Sequence, residues 1–326
     1  MITFDPISNR AGRLRSGWRL IVFILLYLVA VALSYGALRL VLSVLLGGAS
    51  GTVDAALEGR WGYVEQAFVL FIVATTLGWG CGRALEDLPW RALGWTFHRG
   101  WWRDLLIGSL IGAASLVLAV ILAAPLGGFR FGFPADVIWP AVTETLLAAG
   151  AIFIFAAAAE EVLFRGYPLQ TVLRSWPAWV AVIPSSILFS LVHLANPNVV
   201  RGFTFINTAL AGVWLAVAYL RTRSLWFPLG VHWAWNWTMG VVLGLPVSGI
   251  TGIAPSPLLR AIDVGPQWLT GSSYGVEGGA ACTVALLLST VFIWRTRLVS
   301  ATADLKKYTD GENSAPIEEP VTIRQT

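Results

Sequence analysis

The sequence predicts an all-α, polytopic membrane protein, a bundle of about eight transmembrane helices. Three observations predict it. Hydrophobic residues make up 56% of the 326-residue chain and charged residues only 12%, against roughly 25% charged in an ordinary soluble domain. Apolar runs recur along the chain, each near the ~20 residues that a helix needs to cross the hydrocarbon core. The basic residues between those runs fall mostly on alternate connections, as the positive-inside rule requires.

A basic start (Arg10, Arg13, Arg15, Arg19) precedes the first run, residues 20–46, whose one charged residue is Arg39. This run exceeds the ~7–15-residue apolar core of a signal peptide and reads as a retained span. Further runs follow at residues 64–82, 105–124, 140–174, 178–194, 203–220, 225–245 and 277–294. Counting 140–174 as one long or broken helix makes eight spans. With the N-terminus inside, seventeen Lys and Arg residues, Arg165 among them, fall on the cytoplasmic side, and only Arg60, Arg130, Arg201 and Arg260 on the other. The +4 net charge is therefore a mark of topology, and no nucleic-acid partner is expected. Trp18, Trp61, Trp139, Trp176, Trp226 and Trp294 lie near span ends, where an indole is favoured at the headgroup level. Cys81 and Cys282 show neither metal nor disulfide spacing and read as packing residues.

Two connections, residues 125–139 and 246–276, are long and rich in Gly and Pro; they read as solvated loops, with a lid as the alternative. The polar tail 300–326 reads as disordered. The expected organisation is an N-terminal set of three helices with loops (1–139), a core (140–245), an outer loop with the last helix (246–299) and the tail. No internal repeat is apparent, which argues against an inverted-repeat transporter. The expected location is the cytoplasmic membrane of a prokaryote, with both termini cytoplasmic.

Inside this apolar background, residues 156–169 read AAAAEEVLFRGYPL. A charged side chain at mid-bilayer costs ~2.5–3.5 kcal/mol even on insertion scales, so it faces the bundle interior or a wet cavity. Glu161 and Arg165, four apart, share a helix face and can pair, while Glu160 points ~100° away and must find its partner on another helix. Phe189 and His193 are likewise four apart, as are His232 and Asn236. Depth decides whether these stretches meet. A helix ending at Glu160 would leave His193 ~24 Å away; a helix running on towards Arg174, bent near Gly166 and Pro168, brings Glu160 level with it. Ser186, Ser190 and Asn207 read as interhelical hydrogen-bonding groups. His98 reads as an interfacial residue, and Trp233, Trp235 and Trp237 as bundle packing.

These stretches resemble the motifs of the CAAX protease and bacteriocin-processing (Abi) family of intramembrane proteases. Glu160, Glu161 and Arg165 match its EExxxR element. Phe189 and His193 match its FxxxH element, with Asn196 where many members carry a further asparagine. His232 and Asn236 match its HxxxN element. The resemblance covers roughly residues 140–245 and implies an eight-span bundle with an intramembrane active-site cavity, in a family whose eukaryotic members trim prenylated C-termini.

The residue chemistry points the same way independently. A carboxylate and an imidazole serve to deprotonate a water for attack on an amide carbonyl, and an imidazole with an amide NH2 serves to hold the oxyanion. The expected catalytic residues are Glu160 and His193 for water activation, with His232 and Asn236 for the oxyanion; Glu161 and Arg165 act as structural support. The competing mechanism uses zinc on Glu160, His193 and His232. The chain has no HExxH motif, and metal-free catalysis is the favoured reading. Expected partners are a peptide or membrane-protein substrate and the lipid bilayer. The alternative to an endopeptidase is a non-catalytic scaffold or bacteriocin-immunity-type factor of the same family; a proton-coupled transporter is a third reading.

Overall fold

A computed structural model describes residues 5–9, 12–48, 50–133 and 138–309. The chain is helical almost throughout. Helix α1 (Ser16–Leu45) is followed by the short α2 (Ser50–Glu58), then α3 (Arg60–Glu86) and α4 (Trp101–Ala123). A short strand, β1 (Phe129–Gly132), leads to α5 (Trp139–Arg165), α6 (Tyr167–Leu173), α7 (Ala178–His193), α8 (Phe203–Thr222) and α9 (Trp226–Trp237). Helix α9 continues into a π-helical turn, Thr238–Val242. Strand β2 (Arg260–Asp263) pairs antiparallel with β1, a small exception to the all-α expectation. The one-turn α10 (Gln267–Thr270), α11 (Ala280–Arg295) and α12 (Ala303–Thr309) complete the order.

Among the described residues, five segments are long and apolar enough to cross a membrane: Ser16–Leu45, Trp61–Glu86, Trp101–Leu126, Trp139–Leu173 and Phe203–Thr222. Against the eight expected, α7 and α11 are apolar but only 16 residues each, and α9 has 12 before its π turn. These helices are short because the chain leaves them early to build polar loops. Asn196 donates to the Ser248 carbonyl (3.1 Å) and Asn198 to that of Gly249 (3.0 Å). Asn207 donates to the carbonyls of Glu277 (2.7 Å) and Gly279 (2.9 Å). Backbone at that depth is tolerated where such partners satisfy it.

Two packing devices place the site. Helices α4 and α9 touch backbone to backbone through glycines: a Cβ at Gly108, Gly112 or Gly230 would stand 2.3, 2.1 or 2.2 Å from the carbonyl oxygens of Phe227, Val231 and Leu105. Small residues four apart let membrane helices approach this closely. The second device is the break in the fourth run. A Cβ at Gly166 would lie 2.3 Å from the Val162 carbonyl oxygen; the chain kinks there and Pro168 opens α6. Helix α5 therefore continues past Glu160, as the depth argument needs. It contributes Ala149 and Phe153 to one apolar core with Trp214, Leu215 and Trp235. Ala157, Ala158 and Val162 go to a second core with Phe23, Tyr167 and Tyr219.

The bundle has two distinct faces. On one, Glu86 is clasped by Arg19 (2.7 Å) and by Arg174 through Nε and Nη2 (2.8 Å each), with Arg13 on the Glu86 carbonyl (2.9 Å). Arg174 also reaches the Tyr308 carbonyl of α12, so both ends of the described chain meet there. On the opposite face lie the β1–β2 pair and the loops 196–202 and 246–279. The tail expected to be disordered thus includes the helix Ala303–Thr309; residues 310–326 lie outside those described, as do 134–137 of the first long loop. The second long loop is no plain solvated loop, because its residues 247–253 wall a cavity. Of the three expected interhelical hydrogen-bonding groups, Ser190 bonds the Phe205 carbonyl (2.7 Å) and Asn207 is engaged as above, but the Ser186 hydroxyl has no partner among the described residues. It is pressed against Gly212 of α8, leaving no room for one. Arg165, counted with the cytoplasmic residues, is instead buried within the bundle.

Candidate active site

Glu160, His193, His232 and Asn236 all line one cavity of about 220 Å³. The four side chains arrive on three helices, Glu160 on α5, His193 at the end of α7, and His232 and Asn236 on one face of α9. Glu160 Oε2 stands 3.9 Å from His193 Nε2 and 3.8 Å from His232 Nε2. That is too long for direct hydrogen bonds; a water seated to one side of the three atoms can be shared among them. The Oε2 atom is buried and has no hydrogen-bond partner among the described residues, an arrangement that is costly unless something fills it.

Neighbouring groups orient the rings. The Phe189 carbonyl accepts from His193 Nδ1 at 2.7 Å, which leaves Nε2 of the neutral ring as an acceptor aimed at Glu160. The Phe189 ring also packs against this ring in a tilted contact, with centroids 4.5 Å apart. His232 Nδ1 donates to Glu161 Oε1 at 2.8 Å. Glu161 in turn receives Arg165 Nη1 at 3.3 Å, both side chains being buried. Arg165 Nη2 donates to the Gly212 carbonyl (3.1 Å), and its guanidinium lies 4.7 Å over the Phe189 ring. Helical spacing foretold the Glu161–Arg165 pair. It could not foretell that Glu161 also holds His232, 71 residues further along the chain. Asn236 makes no hydrogen bond to another described residue, so its amide is free to serve whatever enters the cavity.

One residue escaped the sequence reading. Glu277, at the head of the last apolar run, also lines the cavity. Its Oε1 accepts from Trp235 Nε1 (3.0 Å), and its Oε2 accepts from the Ser248 backbone N–H (2.7 Å) and hydroxyl (2.9 Å). A lone glutamate between glycines in a loop-like stretch carries no local signal of this. Its position beside a span, where acids are rare, was the available hint. Trp235, read as packing, does pack on Trp214 (5.5 Å between centroids) and also serves as this donor. Cys282 is buried and unpaired. His98 sits on the terminal face, 3.4 Å from Asp104 and 3.3 Å from Ser224, away from the cavity.

The donor types of Glu160, His193 and His232 are those of a zinc site, but a tetrahedral ion with bonds of ~2.0–2.2 Å draws its donors to within ~3.3–3.5 Å of one another. The separations of 3.8 and 3.9 Å are wider. Among the described residues, no three His, Cys, Asp or Glu side chains are placed to hold a metal ion. As placed, the residues do not fit zinc.

No curated protein and no solved structure matches the chain. A family model does match: residues 141–238, the segment that carries all three motifs and Glu160, His193, His232 and Asn236 of the cavity, fit the type II CAAX prenyl endopeptidase Rce1-like family. Motifs, helix order and cavity agree with that match, and residues 141–238 are similar to the core of the Rce1-like type II CAAX prenyl endopeptidases.

Proposed function

We propose that the chain is an intramembrane endopeptidase that hydrolyses a peptide bond in a membrane-associated peptide or protein tail, using a water activated by Glu160 and His193. The single observation that carries this reading is the buried, unpartnered Glu160 Oε2 facing two imidazole Nε2 atoms at 3.8 and 3.9 Å. A water held between Glu160 and His193 donates one proton to each acceptor and points a lone pair at the substrate carbonyl. As its oxygen bonds to the carbonyl carbon, its proton passes to Glu160. The oxyanion forms opposite His232 Nε2–H and the Asn236 amide. Donation from Nε2 as well as Nδ1 requires the doubly protonated ring, whose charge the Glu161 carboxylate balances at Nδ1. Collapse of the tetrahedral intermediate breaks the C–N bond, and Glu160 returns its proton to the leaving amine. The membrane-spanning helices and the family of the core support this reading at the coarser level, as a CAAX-type intramembrane protease.

No step here draws on a metal. We propose metal-free catalysis, and elemental analysis of the active, purified protein tests it: stoichiometric zinc whose removal abolishes turnover overturns that mechanism. The endopeptidase reading itself is tested with Glu160→Gln. Comparing membrane-associated peptides of cells carrying the unmodified chain or the variant, by mass spectrometry, is expected to show one or more fragments lost in the variant. The purified variant should cleave that substrate at least ~10²-fold more slowly. Unchanged cleavage by Glu160→Gln overturns the reading, and full complementation of a deletion by Glu160→Ala would assign a non-catalytic binding role instead.

A further inference from the structure

The cavity has a second polar end that the hydrolytic chemistry does not use. Glu277 is held there by three donors, Trp235 Nε1 and the Ser248 N–H and hydroxyl, all of them neutral. Neutral donors fix a carboxylate without cancelling its charge. Among the described residues Glu277 forms no ion pair, and no lysine or arginine lines the cavity. Arg165 is engaged by Glu161 and the Gly212 carbonyl. The result is a pre-oriented, uncompensated negative charge, half-buried in walls that are mostly aliphatic and aromatic, where a charge is screened less than at the surface.

Its mounting keeps it in register with the catalytic groups. Trp235 is the residue before Asn236 and lies on the helix that carries His232. Ser248 belongs to the strap over the cavity, and Asn196, three residues after His193, donates to the Ser248 carbonyl at 3.1 Å. Gly249, at φ +80°, closes this strap against the Pro197 carbonyl, where a Cβ would stand 1.9 Å away. A carboxylate fixed in this way is suited to receive a substrate group of opposite charge.

We propose that Glu277 determines specificity: it forms a subsite for a cationic side chain, the ammonium of a lysine or the guanidinium of an arginine, in the peptide that occupies the cavity. The same charge disfavours an acidic side chain or a free C-terminal carboxylate at that end, so the subsite selects by repulsion as well as attraction. This inference rests on the endopeptidase reading for the identity of its ligand.

The test uses the full chain in detergent, with Glu160→Gln so that bound peptides persist. Its probes are N-acetylated, C-amidated, fluorescent ten-residue apolar peptides, each with one lysine walked through successive positions and a norleucine control at the same position. At one position lysine is expected to bind about tenfold tighter than norleucine, the advantage of a charge-assisted hydrogen bond. Glutamate at that position should bind more weakly than norleucine. Adding Glu277→Gln, which preserves shape, should bring the lysine-to-norleucine ratio close to one. A ratio near one at every position with Glu277 intact overturns the proposal, and that arm needs no folded Glu277 variant. Persistence of the preference in the double variant overturns it as well. The two readings fail separately: lysine preference without cleavage of any peptide by the unmodified chain sinks the endopeptidase and leaves the subsite, whereas cleavage without lysine preference does the reverse.

Discussion

Glu160 and Glu161 are adjacent acids with opposite surroundings, and the difference follows from one helical step of ~100°. Glu161 turns into the bundle, where Arg165 and His232 both engage it; Glu160 turns into the cavity, where Oε2 meets only ring nitrogens at a distance. The spacing of Glu161 and Arg165 made their pairing legible in the sequence. The contact of Glu161 with His232 was not, because a hydrogen bond across 71 residues leaves no trace in local periodicity. It makes Glu161 a positioning residue for His232. Glu161→Gln should still accept the Nδ1 hydrogen bond but cannot balance an imidazolium, so kcat is expected to fall ~10²-fold or more with KM nearly unchanged, measured on the substrate found by the Glu160→Gln comparison. A rise in KM with kcat unchanged would assign Glu161 to substrate binding instead.

At the scale of elements, the chain uses glycine for two different ends. In α4 and α9, Gly108, Gly112 and Gly230 remove side chains so that two helix backbones touch, and His232 is carried in next to Val231 at that contact. Gly112→Val would drive its side chain into the Val231 carbonyl, 2.1 Å from the Cβ position. Overpacking of this kind costs typically ~1–3 kcal/mol and more where backbone cannot yield. The variant should unfold at lower temperature in detergent, with activity lost in parallel, whereas a substitution at Gly80, whose Cβ position is open, should leave the unfolding temperature unchanged. At the end of α5, Gly166 permits a break, and the break is what lets a helix long enough to pass Glu160 still turn back within the bundle. The need for that continuation was legible from rise per residue alone. The close approach of α4 and α9 requires knowing which helices are neighbours, and a run of apolar residues with two glycines does not say so.

For the whole molecule, charge and cavity together define a direction. Arg13, Arg19, Arg174 and the α12 helix meet Glu86 on one face, while the cavity's Asn196, Asn207, Ser248 and Glu277 lie at the other, under the 246–279 loop. Applied to this geometry, the positive-inside bias predicts that the face of Arg13, Arg19 and Arg174 is cytoplasmic and that the cavity opens to the opposite side. Alkaline phosphatase, active only outside the cytoplasm, should be inactive when fused within residues 94–99 and active when fused within residues 250–256. The reverse pattern would invert the orientation and with it the side from which substrate arrives.

The sequence by itself determined the helical membrane class, the helix faces on which the key polar residues sit and the motifs that lie in the segment matched by the Rce1-like family model. These are properties of composition and of spacings of three or four residues, which local backbone geometry translates directly. Tertiary structure alone decided that Glu161 holds His232, that the loop after the core roofs the cavity, and that Glu277 enters it through partners 29 and 42 residues away. Those facts depend on which helices approach closely and where the chain leaves the helix to satisfy its backbone, and no local pattern encodes either.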